Sequence, residues 1–215
     1  MNNDSTSTPV RLHGSRREQN KREKHSRIVA AARKLFRTQG YAATTTQQIA
    51  RVAGIASGTL FLYVKSKEDL LILVFKDEMS ELIKEVYAEI DPARALHFQS
   101  MRLFQGFIDY HARDVSIARE LIRELTFQSN QQRTADMNEI SEAIVGKLVC
   151  FVEIAMARGE VEAHLDAQLF ARCLFSIYYQ QLQTWLGGFV SREIFQQRLD
   201  NMLKLLIDQA QPPPR

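Results

Sequence analysis

Thr44-Thr45-Thr46-Gln47-Gln48-Ile49-Ala50-Arg51-Val52-Ala53-Gly54-Ile55-Ala56-Ser57-Gly58-Thr59-Leu60-Phe61-Leu62-Tyr63-Val64-Lys65-Ser66-Lys67 reads as a helix, a glycine turn, a second helix and a basic exit into a third. This is the layout of a DNA-reading helix-turn-helix. The first of these helices is expected to be N-capped by Thr46 and to run to Ala53, with Ile49 and Ala53 four apart on one face. Small Ala50 lets the next helix cross closely. Gly54 takes the turn, where a left-handed backbone would strain a Cβ. Ile55 plugs the core, and Ser57 is expected to cap a reading helix that carries Thr59 to Tyr63. Leu60 and Val64 face inward, which leaves Thr59, Phe61, Leu62 and Tyr63 outward. Apolar Phe61 and Leu62 suit a helix in the major groove, where they meet thymine methyls.

Ser66-Lys67-Glu68-Asp69 resembles a capping box for the next helix. Lys67 falls in the first turn of that helix, where the dipole favours an anion. Local stability would not choose a cation there, but a DNA phosphate would be attracted by both. The competing reading is a helical hairpin with no DNA. The inward residues, glycine turn and basic exit together favour the DNA reading.

Working outward, a first helix is predicted from Arg22 to Thr38, with Ile28, Ala32, Leu35 and Phe36 inward and Gly40 as its stop. Residues 1–20 are polar and basic (Arg11, Arg16, Arg17) and are expected to be a disordered arm, either a solvated tail or a strand reaching along DNA. Up to Lys67 the chain holds 13 Lys plus Arg against 3 Asp plus Glu, a net +10, and the rest nets −7, within an overall +3. The basic share coincides with the motif, as a phosphate-binding footprint requires.

At these residues the chain resembles the TetR/AcrR family of bacterial transcriptional regulators. The matching stretch runs from about Arg22 to Leu71. It includes Ile28-Val29-Ala30-Ala31-Ala32-Arg33-Lys34-Leu35-Phe36, Gly40-Tyr41, Thr44-Thr45-Thr46, Ile49-Ala50, Ala53-Gly54, Gly58-Thr59-Leu60-Phe61 and Lys65-Ser66-Lys67-Glu68-Asp69-Leu70. The chain departs from the pattern at Val64, where an aromatic is usual, and at Phe61, where a tyrosine is usual; Tyr63 stands ready to replace its hydroxyl. The resemblance implies that Thr45, Thr46 and Gln47 approach backbone or bases from one helix start. It implies that Ser57, Gly58, Thr59, Phe61, Leu62 and Tyr63 face the groove and that Lys67 grips phosphate. It also implies a homodimer, most often a repressor, that leaves double-stranded operator DNA when a small molecule binds the C-terminal domain.

The remaining chain is read as all-helical. A helix from Ser66 to about Ile90 carries Leu71, Phe75, Met79, Leu82, Val86 and Ile90 at helical spacing. Further helices are expected from Pro92 to Ala112, Val115 to Gln128, Ala135 to Arg158 (after a polar break at Ser129 to Thr134), Asp166 to Trp185, and Ser191 to Gln209. This gives an arm (1–20), a DNA-binding domain (21–67), an effector-binding and dimerisation domain (68–210) and a tail (211–215). The fold class expected is all-α, with a three-helix head and about nine helices in all.

The last two helices are apolar on more than one face, so a second copy is expected to cover them in a four-helix bundle. Phe175, Leu182, Leu186, Leu199, Leu203 and Leu206 are the candidate interface. Two reading heads about one DNA turn apart, ~34–36 Å, call for a near-palindromic operator. By resemblance the bundle also holds a small-molecule pocket, with Met101, Phe104, Ile108, His111, Phe127, Phe151 and Tyr178 as candidate lining. Residues of these types at helical spacing are more often plain core than ligand contacts. A mostly apolar pocket points to a hydrophobic or aromatic effector.

Two other classes compete. An enzyme finds no Gly-rich phosphate loop, no His-Glu-x-x-His and no Cys-x-x-Cys, and His13, His25, His97, His111 and His164 lack ligand spacing. No cofactor, metal or catalytic residue is therefore assigned. A non-specific architectural DNA binder would share the basic head without needing the aromatic C-terminal domain. Cys150 and Cys173 lie in apolar helical patterns and are expected to be buried free thiols. With no signal-like N-terminus and no apolar run of about 18 residues, a cytoplasmic, nucleoid-associated protein with no membrane partner is expected.

Overall fold

A computed structural model describes residues 16–126 and 131–213. Among them the chain is all-α, in nine helices: α1 (Arg16–Gln39), α2 (Thr46–Val52), α3 (Ser57–Leu60), α4 (Lys67–Ala88), α5 (Leu96–Ala112), α6 (Val115–Thr126), α7 (Gln131–Ala157), α8 (Ala167–Leu186) and α9 (Arg192–Gln209). The chain divides after Lys67 into two compact units. Residues 16–20, expected in the arm, form the first turns of α1, because the polar run Arg16 to Lys24 contains neither Gly nor Pro to stop a helix. The rest of the arm lies outside the described residues.

In the N-terminal unit, α1 buries Ile28, Ala32 and Phe36; α2 buries Ile49 and Ala50; Leu60 and Val64 close the core. Gly54 sits at φ 66, so the tight turn between α2 and α3 uses the left-handed backbone that glycine adopts freely. The N-cap of α2 is Thr45 rather than Thr46. Its hydroxyl accepts from the Gln48 amide (3.2 Å), and Gln48 Oε1 accepts from the Thr45 amide (2.8 Å), a complete capping box. Thr44, buried, donates to the Gly40 carbonyl at 2.7 Å. Ser57 does not cap α3: Ala56 holds that position with no side-chain bond. Regular helix ends at Leu60, and i→i+3 bonds from Leu62 to Thr59 and from Tyr63 to Leu60 tighten the chain into turns.

In the C-terminal unit α5 is central and packs on α6, α7, α8 and α9, while α8 also packs on α6, α7 and α9. Phe104, Phe107, Leu148, Val152, Leu174, Phe195, Leu199 and Leu203 are its core. The α5 start differs from the expectation at Pro92. The carbonyls of Pro92 and Arg94 accept from Arg158 (2.8 and 2.9 Å) and from buried Gln99 (3.0 and 2.6 Å). Glu160 then accepts from the Leu96 amide at 2.6 Å, which starts α5 there instead. Asp166 and Ser191 cap α8 and α9 as read, accepting from Leu169 and Ile194 amides. The thiols are free, but Cys150 is half-buried and Cys173 is exposed on α8, because its inward stripe falls on Phe170, Leu174 and Tyr178.

At Gly106, α5 lies against Val86 of α4 with no room for a side chain. A Cβ built there would lie 2.6 Å from Val86 Cγ2. Val86 is itself buried and cannot swing away. Gly106→Ala is therefore expected to destabilise the fold by about 1–3 kcal/mol, as overpacked cores do. Denaturant unfolding measures this; a variant as stable as the parent would mean that the two helices separate without cost.

Candidate nucleic-acid interface and effector cavity

The outward side chains of the reading segment stand free of the core. Leu62 is 82% exposed and Phe61 is 52% exposed. Thr45, Gln47, Ser57 and Gly58 are exposed, and Thr46, Thr59 and Tyr63 are half-buried. The structure thus brings nine of the ten candidate DNA contacts to the surface of α2, α3 and the turns that follow. Tyr63 also lines an open concavity of about 390 Å³ with Glu18, Lys21, Arg22 and His25 of α1. Lys21 and Arg22, beside the reading segment, extend the positive surface. Lys21 and Arg22 are among the 13 basic residues up to Lys67, but their meeting with Tyr63 required the helix crossing.

Lys67 is the tenth candidate, and its surroundings differ from the expectation. Its Nζ donates to the Tyr41 carbonyl (3.0 Å) and the Ala42 carbonyl (3.4 Å) and lies 4.3 Å from the Tyr41 ring centroid. The dipole argument that pointed to phosphate is answered within the unit. Carbonyl oxygens and a ring face stabilise the cation, and the lysine ties the start of α4 to the α1–α2 turn.

Within the C-terminal unit, α4, α5, α6, α7 and α8 surround a cavity of about 30 Å³. Phe75 and Met79 of α4 face it, as do Phe107, Ile122, Leu125, Met137, Ile140, Ile144, Phe175 and Leu182, with His111, Tyr178 and Tyr179 as the polar-tipped lining. Among the described residues no charged side chain lines it. Burial pushes the His111 imidazole down to about 4, so it is neutral at ordinary pH, and burial raises the Tyr178 hydroxyl. Near the cavity, Lys76 of α4 binds Asp136 (3.0 Å) and Glu139 (2.6 Å) of α7.

Of the candidate ligand contacts, His111 and Tyr178 line this cavity. Phe104 stacks on the Tyr178 ring with centroids 4.5 Å apart and holds it from behind. Ile108 is fully buried core, Met101 is half-buried outside the lining, and Phe151 stacks on Tyr87 (5.4 Å) instead. Phe127 lies outside the described residues. The wall from α7 was missed, although Met137, Ile140 and Ile144 carry helical spacing that marks an inward stripe.

Most of the candidate dimer residues face the protomer's own core. Leu182, Leu186, Leu199 and Leu203 are buried within the protomer, and Phe175 lines the cavity; Leu206 is half-buried. The outward apolar residues are Leu169 on α8 and Ile194, Met202 and Leu205 on α9. The helical phase places the leucine-rich stripes inward, where α5 and α7 already fill the space.

Among the described residues no group of three or more His, Cys, Asp or Glu is placed to hold a metal ion, and no helix is long and apolar enough to cross a membrane.

A three-helix head with an exposed reading segment, and in the second unit a helical bundle around an apolar cavity, form the layout of a helix-turn-helix transcriptional regulator. Residues 28–74, which take in the helix-turn-helix and the start of α4, match the family model described as bacterial regulatory proteins, tetR family. It is 29% identical over 166 residues, 77% of this chain and 85% of the relative, to the fatty acid metabolism regulator protein of Bacillus subtilis. It is 25% identical over 186 residues, 86% and 81% of the two chains, to the transcriptional repressor KstR of Mycobacterium tuberculosis. Thermus thermophilus FadR, a TetR-family repressor solved with lauroyl-CoA, superposes with a TM-score of 0.71 at 22% identity, covering 89% of this chain and 97% of that one. Bacillus subtilis FadR, solved with stearoyl-CoA, gives a TM-score of 0.63 at 25% identity, covering 85% and 97%. The relatives are regulators, not enzymes.

Proposed function

We propose that this regulator is a homodimeric repressor whose near-palindromic operator is released by a fatty acyl thioester. The observation that carries the effector class is the uncharged, aromatic and aliphatic lining of the cavity among α4–α8. The acyl-CoA ligands of the two FadR relatives agree with that lining. In this reading Thr45, Thr46, Gln47, Ser57, Gly58, Thr59, Phe61, Leu62 and Tyr63 meet the DNA, with Lys21 and Arg22 on flanking phosphates. Lys67 positions the start of α4 rather than gripping phosphate.

The cavity of about 30 Å³ is far smaller than an acyl chain, so entry must displace Phe75 and Met79 of α4 from the α7 wall. α4 begins at Lys67, hooked to the Tyr41 and Ala42 carbonyls. A ligand that prefers the opened arrangement shifts the population away from operator binding by its difference in affinity for the two arrangements. A cytoplasmic location follows from a partner that is DNA.

The test is a fluorescence-anisotropy titration of duplex from the region flanking the gene, against random duplex. Specific binding of ~10³-fold or more over random DNA is expected. Dodecanoyl-CoA should then dissociate the complex and free coenzyme A should not. A complex unmoved by acyl-CoA of any chain length would remove the effector class while leaving the regulator. Equal, salt-fragile binding to both duplexes would favour the architectural reading.

A further inference from the structure

His111 and Tyr178 face the same cavity from α5 and α8, and each is only 3% exposed. His111 Nδ1 and the Tyr178 hydroxyl have no hydrogen-bond partner among the described residues. Buried polar atoms are almost always paired, and an unpaired one costs stability. Two of them on the wall of one cavity make a polar spot in an otherwise apolar space. Phe104 stacks on Tyr178 and Phe75 stacks near His111 at 6.1 Å, so both rings are held in place rather than left to turn toward other partners.

We infer that the effector carries a neutral oxygen function, a hydroxyl or carbonyl on the part of the molecule that enters the cavity, and that His111 Nδ1 and the Tyr178 hydroxyl receive it. The inference rests on the acyl-thioester reading and narrows it. An unsubstituted chain would leave both atoms unmet and would cover them with hydrocarbon. A carboxylate does not suit the spot, since among the described residues no Lys or Arg lines the cavity and burial keeps the imidazole neutral. The thioester carbonyl does not suit it either. That group is tethered to a large charged nucleotide, whereas these two side chains are enclosed by Phe75, Phe107 and Ile144. A neutral oxygen further along the chain has neither difficulty. Before it arrives, a cavity of this size holds about one water, which the ligand oxygen replaces bond for bond.

The experiment compares operator release by dodecanoyl-CoA with release by its β-hydroxy, mid-chain-hydroxy and ω-hydroxy derivatives, on the full chain and on Tyr178→Phe. At least one hydroxylated probe should reach half-release at a concentration about ten-fold below dodecanoyl-CoA, the size of one neutral hydrogen bond. Tyr178→Phe should bring that ratio to within about two-fold, and operator affinity in the absence of ligand, measured alongside, shows that the variant folds. His111→Gln, tested alongside, should narrow the ratio as well. If dodecanoyl-CoA releases the operator as well as the best hydroxylated probe, and neither variant alters the ratio, the spot holds a water only and the inference is overturned. If no probe releases the operator, the acyl-thioester reading itself fails and takes the inference with it.

Discussion

Leu62→Glu is expected to abolish specific operator binding while leaving the fold intact. Leu62 is 82% exposed and follows the last regular residue of α3 by two positions. Nothing among the described residues covers it, so a charged replacement should change unfolding free energy by no more than about 0.5 kcal/mol, as at other open surface positions. At the DNA the same change acts twice over. It removes an apolar contact available to a thymine methyl, and it sets a carboxylate against the phosphates that Lys21 and Arg22 are positioned to attract. Each base-reading contact is worth about 1–3 kcal/mol. With two heads per operator, affinity should fall about 100-fold or more. Leu62→Ala loses the methyl contact alone and should fall about ten-fold. Anisotropy with operator and random duplex, paired with thermal melts, separates the outcomes. Unchanged operator affinity in Leu62→Glu would mean that this segment does not read DNA.

The parts of the structure that were legible in the sequence are those fixed by neighbours close along the chain. Ile28, Ala32, Phe36, Ile49, Ala53, Leu60 and Val64 follow helical spacing around a glycine turn, and all are buried. Asp166 and Ser191 cap helices that begin immediately after them. The N-cap of α2 slipped by one residue because Thr44, Thr45 and Thr46 are chemically equivalent caps. What distinguishes them is that Thr44 is drawn inward to Gly40 and that Thr45 alone stands three residues before Gln48.

Where a partner lies far along the chain, periodicity carries no signal. α5 starts at Leu96 because Arg158 and Glu160, more than 60 residues on, take up the carbonyls and the amide at its start. Lys67 reads as a phosphate ligand, and nothing along the chain signals that the Tyr41 and Ala42 carbonyls, 26 and 25 residues back, also accept from it. The cavity needs five helices to meet, and its polar spot comes from His111 and Tyr178, which the sequence offers equally as core. In α8, apolar residues lie on several faces, and only packing decides that Leu182 and Leu186 turn inward while Leu169 turns out.

That phase also decides how two copies should meet. On α9, Ile194, Arg198, Asn201, Met202 and Leu205 follow spacings of four, three, one and three and form one exposed face. On α8, Leu169, Cys173, Ser176 and Gln180 do the same. Four of these nine are large apolar groups with no cover in the protomer, and the α8 face is otherwise small or polar, which lets a second pair of helices approach closely. A two-fold interface repeats every substitution, so Ile194→Glu with Leu205→Glu places four carboxylates in one bundle. The double variant is expected to sediment as a monomer where the parent is a dimer. Both positions are already open to solvent in the single chain, so the monomer should stay folded. Operator affinity should drop by about 10²–10⁴-fold, because each half-site must then be found by an independent head. Cys173 reports the same change chemically. Its thiol lies on the proposed face, so labelling should be slow in the parent and fast in the double variant. A variant that stays dimeric with Cys173 still shielded would place the interface on another face.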